Sequence, residues 1–387
     1  MKAMDLVTRE DLEYLVATRR EFHQYPEIGF ELERTVAMVR EKLTEIGFDE
    51  ILSYGPASAS VYIGNPDAKL TVGVRADMDA LPIEEKTGYA FSSKNPGAMH
   101  ACGHDAHTAI LLTLARVLKR NEEKLPCRVK LLFQPNEEGE TSGAKSMVDN
   151  GAIDDVDMII ATHVENMIEA GKVGVCVGDA MAACDPITVV FHGKTAHAAA
   201  AENGVDALSM VIEAYHGMKA LEKEVIGDRK HIFHFGMLRS GEAHNVVPDK
   251  ATMKVSFRYF DMDMRNEMQE KCVALCEQIA ARFGGTVEID WQLSCPYVHN
   301  DEAICEKFLN SVRTIMPERI VDFPLKMSSE DFSWFLMEKP GILFRTCTRN
   351  EAKGCDTIAH CNDFRIDEDA LQYGLYAFLQ FILDQDA

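Results

Sequence analysis

The chain has no run of 18 or more apolar residues, so the sequence offers no candidate membrane-spanning helix. Its start, Met1 to Glu10, has no apolar core of the kind that marks a secretory signal. Glycine and proline are sparse, 25 and 13 among 387 residues, which excludes collagen-like and low-complexity chains. Positive charge is short as well: 40 Lys and Arg against 62 Asp and Glu give a formal net charge of −22. A field of that sign repels phosphate backbones, so no nucleic-acid partner is expected, and with no long apolar run no membrane partner is expected either. Cysteine is not scarce, at 11 residues, but the number is odd and the spacing shows no disulfide framework. The expectation is a cytoplasmic protein with mostly free thiols, at least one of which has a chemical task.

What is present suits a folded enzyme-sized chain. Hydrophobic residues make up 47% and charged residues 26%, enough apolar surface to offset ordering entropy. The length suggests two or three domains. Short β-rich runs at 68–76, 128–133 and 156–162 alternate with helical stretches at 108–118 and 142–148, a pattern of βαβ units around a largely parallel sheet. Earlier, two helical stretches within 11–40 are separated by Tyr25-Pro26-Glu27. From Asp185 the order changes to β-α-β-β-α-β, which suits a small α+β layer with one helical face. After Pro296 the α/β texture returns, with a strand at 342–347 and a closing helix at 368–383. The division expected is therefore an α/β catalytic domain, 1–184 and 296–387, carrying an inserted α+β (ferredoxin-like) domain at 185–295.

Residues able to bind metal recur where strands are expected to end or helices to begin. They are Cys102 and His104 around Gly103, the pair Glu137-Glu138 after RVKLLF, His163 after VDMIIAT, and His360 ahead of the closing helix. Ligands of open α/β sheets bind beyond the carboxyl ends of strands, so these segments imply one shared site. One thiolate, three imidazoles and a carboxylate exceed the needs of a single tetrahedral ion. Two ions about 3.5–4 Å apart fit better, with a thiolate or carboxylate bridging them. The adjacent glutamates can divide labour, one binding metal and the other free as an acid/base group.

Several motifs then resemble a known family. Arg19 to Phe30 (RREFHQYPEIGF), Arg75 to Pro82 (RADMDALP), Met99 to His107 (MHACGHDAH) and Phe133 to Gly139 (FQPNEEG) are similar to successive signatures of the M20 metallopeptidases, subfamily D. Asn245-Val246-Val247-Pro248-Asp249 and Ser329-Glu330-Asp331-Phe332 add two more, in family order. The members include hippurate hydrolase, N-acyl-amino-acid deacylases and plant indoleacetyl-amino-acid hydrolases.

The resemblance implies a zinc-peptidase-like α/β domain with two divalent ions (Zn, Mn, Co or Ni) and an inserted lid that pairs subunits into a homodimer. Residue by residue it implies Cys102 as a bridging ligand, His104, Glu138, His163 and His360 as the other ligands, and Glu137 as general base. Asp77 would support the ligands, while Asp105 and His107 would start and pack a helix. In the lid, His197 and Asn245 match positions that meet substrate, His197 as donor to the developing oxyanion. The family's lid run Gly-Lys-Gly-Gly-His-Ala-Ala-x-Pro reads here Gly193-Lys194-Thr195-Ala196-His197-Ala198-Ala199-Ala200-Ala201, with two glycines and the proline gone. The expected activity is hydrolysis of the amide of N-acyl-amino acids. The alternatives are a dipeptidase or aminopeptidase on the same metal core, and a metal-free relative kept for binding.

Overall fold

The computed structural model describes residues 1–385, which divide into two compact units. The first comprises Met1–Ala180, Val298–Leu325 and the chain from Asp331 onward; the second comprises Met181–Tyr297 with Lys326–Glu330.

The first unit is built on strands β1 (Ala59–Ile63), β2 (Thr71–Asp77), β3 (Arg128–Gln134), β4 (Met158–Glu169) and β5 (Val173–Val175). After β6 (Gly178–Met181) the chain leaves for the second unit. It supplies β7 to β12 there, returns at β13 (Val298–Asn300) and adds β14 (Ile320–Asp322) and β15 (Gly341–Arg349). The main sheet runs in the order β1-β3-β2-β4-β15-β5-β14. β2, β3, β4 and β15 pair in parallel, and β1 and β5 meet their neighbours β3 and β15 antiparallel. All seven residues of β2 are buried, as a central strand covered on both faces requires. The expected α/β class with a largely parallel sheet is what the chain adopts.

Helices α1 (Ala3–Leu6), α2 (Arg9–His23), α3 (Glu33–Ile46), α4 (His104–Arg120) and α5 (Gly143–Asp149) belong to this unit. α2 begins with a reciprocal capping box between Thr8 and Asp11. α4 is buried along nearly its whole length and packs Ile110, Leu111, Leu114 and Leu118 into the core. Its first residue is His104, because Gly103 stands before it at φ +90°, a left-handed conformation. A Cβ there would come within 2.3 Å of Val164 Cγ2, so only glycine lets the chain turn between Cys102 and His104.

The second unit forms a four-stranded antiparallel sheet from β7 (Ala183–His192), β9 (Ile232–Ser240), β11 (Lys250–Tyr259) and β12 (Thr286–Trp291), in the order β12-β7-β11-β9. β11 alternates buried and less buried residues, the period of a sheet with one core face. Helices α6 (Ala207–Leu221) and α7 (Met262–Phe283) share a core with it through Met210, Met218, Met268, Val189, Phe191 and Phe257. Cys272 and Cys276 both lie in that core on one face of α7. A two-stranded piece, β8 (Ala196–His197) with β10 (Val246–Val247), stands apart from the sheet. The helices α8 (Glu302–Arg313), α9 (Ser333–Glu338) and α10 (Leu371–Leu383) complete the first unit.

Candidate metal centre

The first unit gathers Cys102, His104, Glu137, Glu138, His163 and His360. Cys102 Sγ, His104 and His163 have ligand atoms within 4.8 Å of one another, and so do Cys102 Sγ, Glu138 and His360. Cys102 is the member common to both triads. Its Sγ lies 3.3 Å from His163 Nε2. On the other side His360 Nε2 lies 3.1 Å from Glu138 Oε1. His104 Nε2 is 3.8 Å from Glu137 Oε2 and 3.9 Å from Glu138 Oε1.

The rings are aimed by their other nitrogens. His104 Nδ1 donates to the Asp79 carbonyl at 2.8 Å, and His163 Nδ1 donates to the Val164 carbonyl at 2.6 Å. In the neutral ring each Nε2 is then left with a lone pair pointing into the cluster, the orientation that a carbonyl bonded to the other nitrogen gives metal-binding histidines. His104 Nε2 is buried and has no hydrogen-bond partner. A buried ring nitrogen without a partner, facing a thiol and two carboxylates, is the donor set that a divalent ion satisfies. His107 is different, for both nitrogens are engaged. Nδ1 donates to Asp77 Oδ1 at 2.6 Å, and Nε2 accepts the Val164 amide at 2.8 Å. Asp105 accepts from Arg19 Nε at 2.7 Å and His23 Nδ1 at 2.8 Å.

Burial pushes the Cys102 thiol up, and the Glu138 carboxylate adds to that. Burial, with His107 and the Arg345 guanidinium close by, pushes His163 well below the usual imidazole range, which favours the neutral form a ligand needs. Burial would raise Asp77, but Arg75, His104 and His107 outweigh it and hold its carboxyl well below the ordinary range. Hydrogen bonds to Cys102 and Glu138 push His360 up to about 10.

Two candidate segments carry backbone in the left-handed region outside glycine: Asn136 at φ +50° and His360 at φ +68°. Such residues cost about 1–3 kcal/mol each and persist where surroundings over-determine them. The His360 amide is held by the Ala101 carbonyl at 2.8 Å, which ties this segment to the one bearing Cys102. The loop after β3 is held by Asp79, whose Oδ1 and Oδ2 accept the Glu137 and Glu138 amides at 2.9 and 3.1 Å. Asp79 was not singled out by sequence, although it stands two residues after Asp77 in the irregular segment following β2.

One placement differs from expectation. His163 lies inside β4 rather than beyond a strand end, because β4 continues to Glu169. The cause is tertiary: β15 pairs with it in parallel through Arg345 opposite His163 and on to Glu165, overriding the polar texture of His163-Val164-Glu165-Asn166.

In the second unit His197 and Asn245 are brought together. β8 pairs His197 with Val246, and the Ala198 amide donates to the Asn245 carbonyl at 3.0 Å. His197 Nδ1 accepts the Ala199 amide at 3.1 Å, so the neutral ring carries its proton on Nε2, free to donate outward. Its side chain is exposed.

Residues 73–384 match the sequence profile described as Peptidase family M20/M25/M40. The chain belongs to this family. It is 33% identical over 390 residues to thermostable carboxypeptidase 1 of Saccharolobus solfataricus, covering 97% of each chain. It is 34% identical to N-acetyl-L-cysteine deacetylase of Bacillus subtilis, over 96% of this chain and 89% of that one. Among solved structures, a dinuclear metal binding peptidase of the M20 family from Bacillus subtilis superposes with a TM-score of 0.81 at 27% identity, covering 97% of this chain and 98% of its own. No helix among the described residues is long and apolar enough to cross a membrane.

Proposed function

We propose that this chain, a metal-dependent amidohydrolase, cleaves the amide bond of N-acyl-amino acids, with Glu137 as general base. Cys102, His104, Glu138, His163 and His360 would hold two divalent ions (Zn, Mn, Co or Ni), with Cys102 the ligand common to both groups. The observation that carries the reading is the sharing of Cys102 by two ligand triads. Bound there, two ions supply Lewis-acid polarisation of the scissile carbonyl and a water of lowered pKa.

The remaining steps fall to side chains. Glu137 is the carboxylate left over when Glu138 binds metal, and its Oε2 faces the cluster from 3.8 Å at His104 Nε2. It takes the proton of the attacking water and later delivers it to the leaving amine nitrogen. His197 offers an Nε2–H to the developing oxyanion, and Asn245 holds the carboxylate of the leaving amino acid. The segment 185–295 acts as a lid and dimerisation domain on a catalytic domain of 1–184 and 296–387, in a cytoplasmic homodimer.

The test is product analysis. Protein loaded with Mn or Zn is incubated with a panel of N-acyl-amino acids and with dipeptides bearing a free α-amine. Release of free amino acid from the acylated panel is expected. Cleavage confined to the dipeptides would replace this reading by a dipeptidase or aminopeptidase on the same core.

A further inference from the structure

We propose that Asp331 is a positioning residue for the general base: its carboxylate staples both ends of the loop that carries Glu137 and Glu138. The inference rests on Glu137 being the base. The loop leaves β3 at Gln134 and enters α5 after Ser142. Gln134 Nε2 donates to Asp331 Oδ1 at 2.8 Å and to Oδ2 at 3.0 Å. Ser142 Oγ donates to Oδ2 at 2.7 Å, and the Ala144 amide donates to the same oxygen at 3.1 Å. One buried carboxylate thus closes the loop across its two ends. The Asp331 amide also reaches Glu137 Oε1, at 3.4 Å. The loop therefore depends on Asp331 at its upstream end, its downstream end and the carboxylate it presents.

The loop needs such a restraint. It contains Asn136 at positive φ, so its native shape is not the one a free segment prefers. Asp79 holds the two glutamate amides from one side, and the Gly143 amide bonds to the Asn136 carbonyl at 3.1 Å, while Asp331 ties Gln134 to Ser142 and Ala144 through one charged side chain. Asp331 is fixed in turn by Arg75, whose Nη2 donates to Oδ1 at 3.1 Å. Arg75 has further partners, with Nη1 on Asp77 Oδ2 and Nε on Gln134 Oε1, both at 2.7 Å. Removing the charge of Asp331 therefore leaves Arg75 paired, and the fold is expected to survive. Asp331→Asn must place its NH2 against either Arg75 Nη2 or the Ala144 amide. Donor then faces donor, and one end of the loop is released.

The experiment uses metal-loaded enzyme. Asp331→Asn is expected to lower kcat about 100-fold, the cost of a base displaced by about 1 Å, with KM within about twofold. Hydrogen exchange should accelerate at amides 136–142 and stay unchanged in α10. Ser142→Ala, which removes one of the two downstream bonds together with the cap of α5 and leaves every charge in place, should lose kcat by about three- to tenfold with a smaller local rise in exchange. In a Glu137→Gln background, Asp331→Asn should cost nothing further, because both changes act on one group. A full additional loss in that background overturns the proposal. So does wild-type kcat in Asp331→Asn or Ser142→Ala once exchange shows the loop released. Near-native turnover of Glu137→Gln alone would instead overturn the base assignment, and the single variant reads that outcome separately.

Discussion

Two histidines, one in each unit, show how differently this chain builds precision. The side chain of His104 is 1% exposed, it opens a fully packed helix, and its Nδ1 is fixed on the Asp79 carbonyl. His197 is exposed, sits in a two-residue strand, and accepts one backbone bond from Ala199. The segment after it is a run of alanines in a 3₁₀ turn, interrupted by Ala200 at φ −139°. The ring proposed to present a lone pair to an ion is determined from several sides. The ring proposed to donate toward the developing oxyanion is held through one. Rigid packing supplies the first, and local backbone geometry supplies the second.

Four changes break or sharpen this contrast. Glu137→Gln is expected to lower kcat by about 10³-fold or more while both ions stay bound, measured by turnover and metal analysis together. Retained turnover would show that the buried side of the contrast does not supply the base. Glu138→Ala is expected to lose metal occupancy, and activity in proportion to that loss. An unchanged metal content would remove Glu138 from the ligand set.

His197→Ala is expected to cost about 100-fold in kcat, or about 3 kcal/mol, with metal content and melting temperature unchanged. Mixing it with Glu137→Gln under subunit exchange asks whether the donor serves a partner's site. Recovery of up to about a quarter of wild-type activity identifies donation in trans. A change in metal content would instead tie the exposed ring to the buried cluster.

The smallest effect concerns the scaffold beneath His104. Burial alone would raise the Glu85 carboxyl, but bonds from His23, the Ser93 amide and Thr87 outweigh it and bring it to about 2. A carboxyl lowered on folding contributes stability above its unfolded pKa of about 4.3, and that contribution is lost as pH falls towards 2. His23, bonded to Asp105 and Glu85, is raised on folding, so its share is present at low pH and lost as pH climbs through its folded value. Glu85→Gln should flatten the acid limb of stability between about pH 4.3 and 2 and lower stability at pH 7. Urea melts across that range check it, and an unchanged acid limb would mean the pair carries no net stabilisation.

Much of this was legible in the residues. The α/β texture, α4 and the segments bearing Cys102, Glu137, Glu138, His163 and His360 could be read because strand composition and ligand chemistry are local properties. Ser142 behaves as its type suggests, capping α5 through the Lys145 amide. Asp79 and Asp331 were not readable as parts of the site machinery. An aspartate in a turn looks like any other until the loop it closes is in place, and Asp331 lies far along the chain from Gln134 and Ser142. Asn245 and His197 matched known motifs, but their adjacency exists only because β10 pairs with β8. The extent of β4 was missed for the same reason, since the pairing that lengthens it comes from β15.

The second unit also differs from a simple insertion in how it is sewn together. Besides 181–297 it includes the five residues Lys326–Glu330. The Ala182 amide bonds to the Lys326 and Ser328 carbonyls at 3.2 and 3.0 Å, and Arg258 Nη1 reaches the Met327 carbonyl at 2.9 Å. Cutting the chain at 181 and 297 and joining the ends would leave that short strap without these bonds, one residue ahead of Asp331. The domain is therefore not an exchangeable cassette. Grafting a lid from a relative onto this body means carrying the strap along with it, and a chimera that omits it is expected to fail at the loop of Glu137 before it fails at the graft. Gene shuffling within such a fold is constrained at three stretches of sequence rather than two.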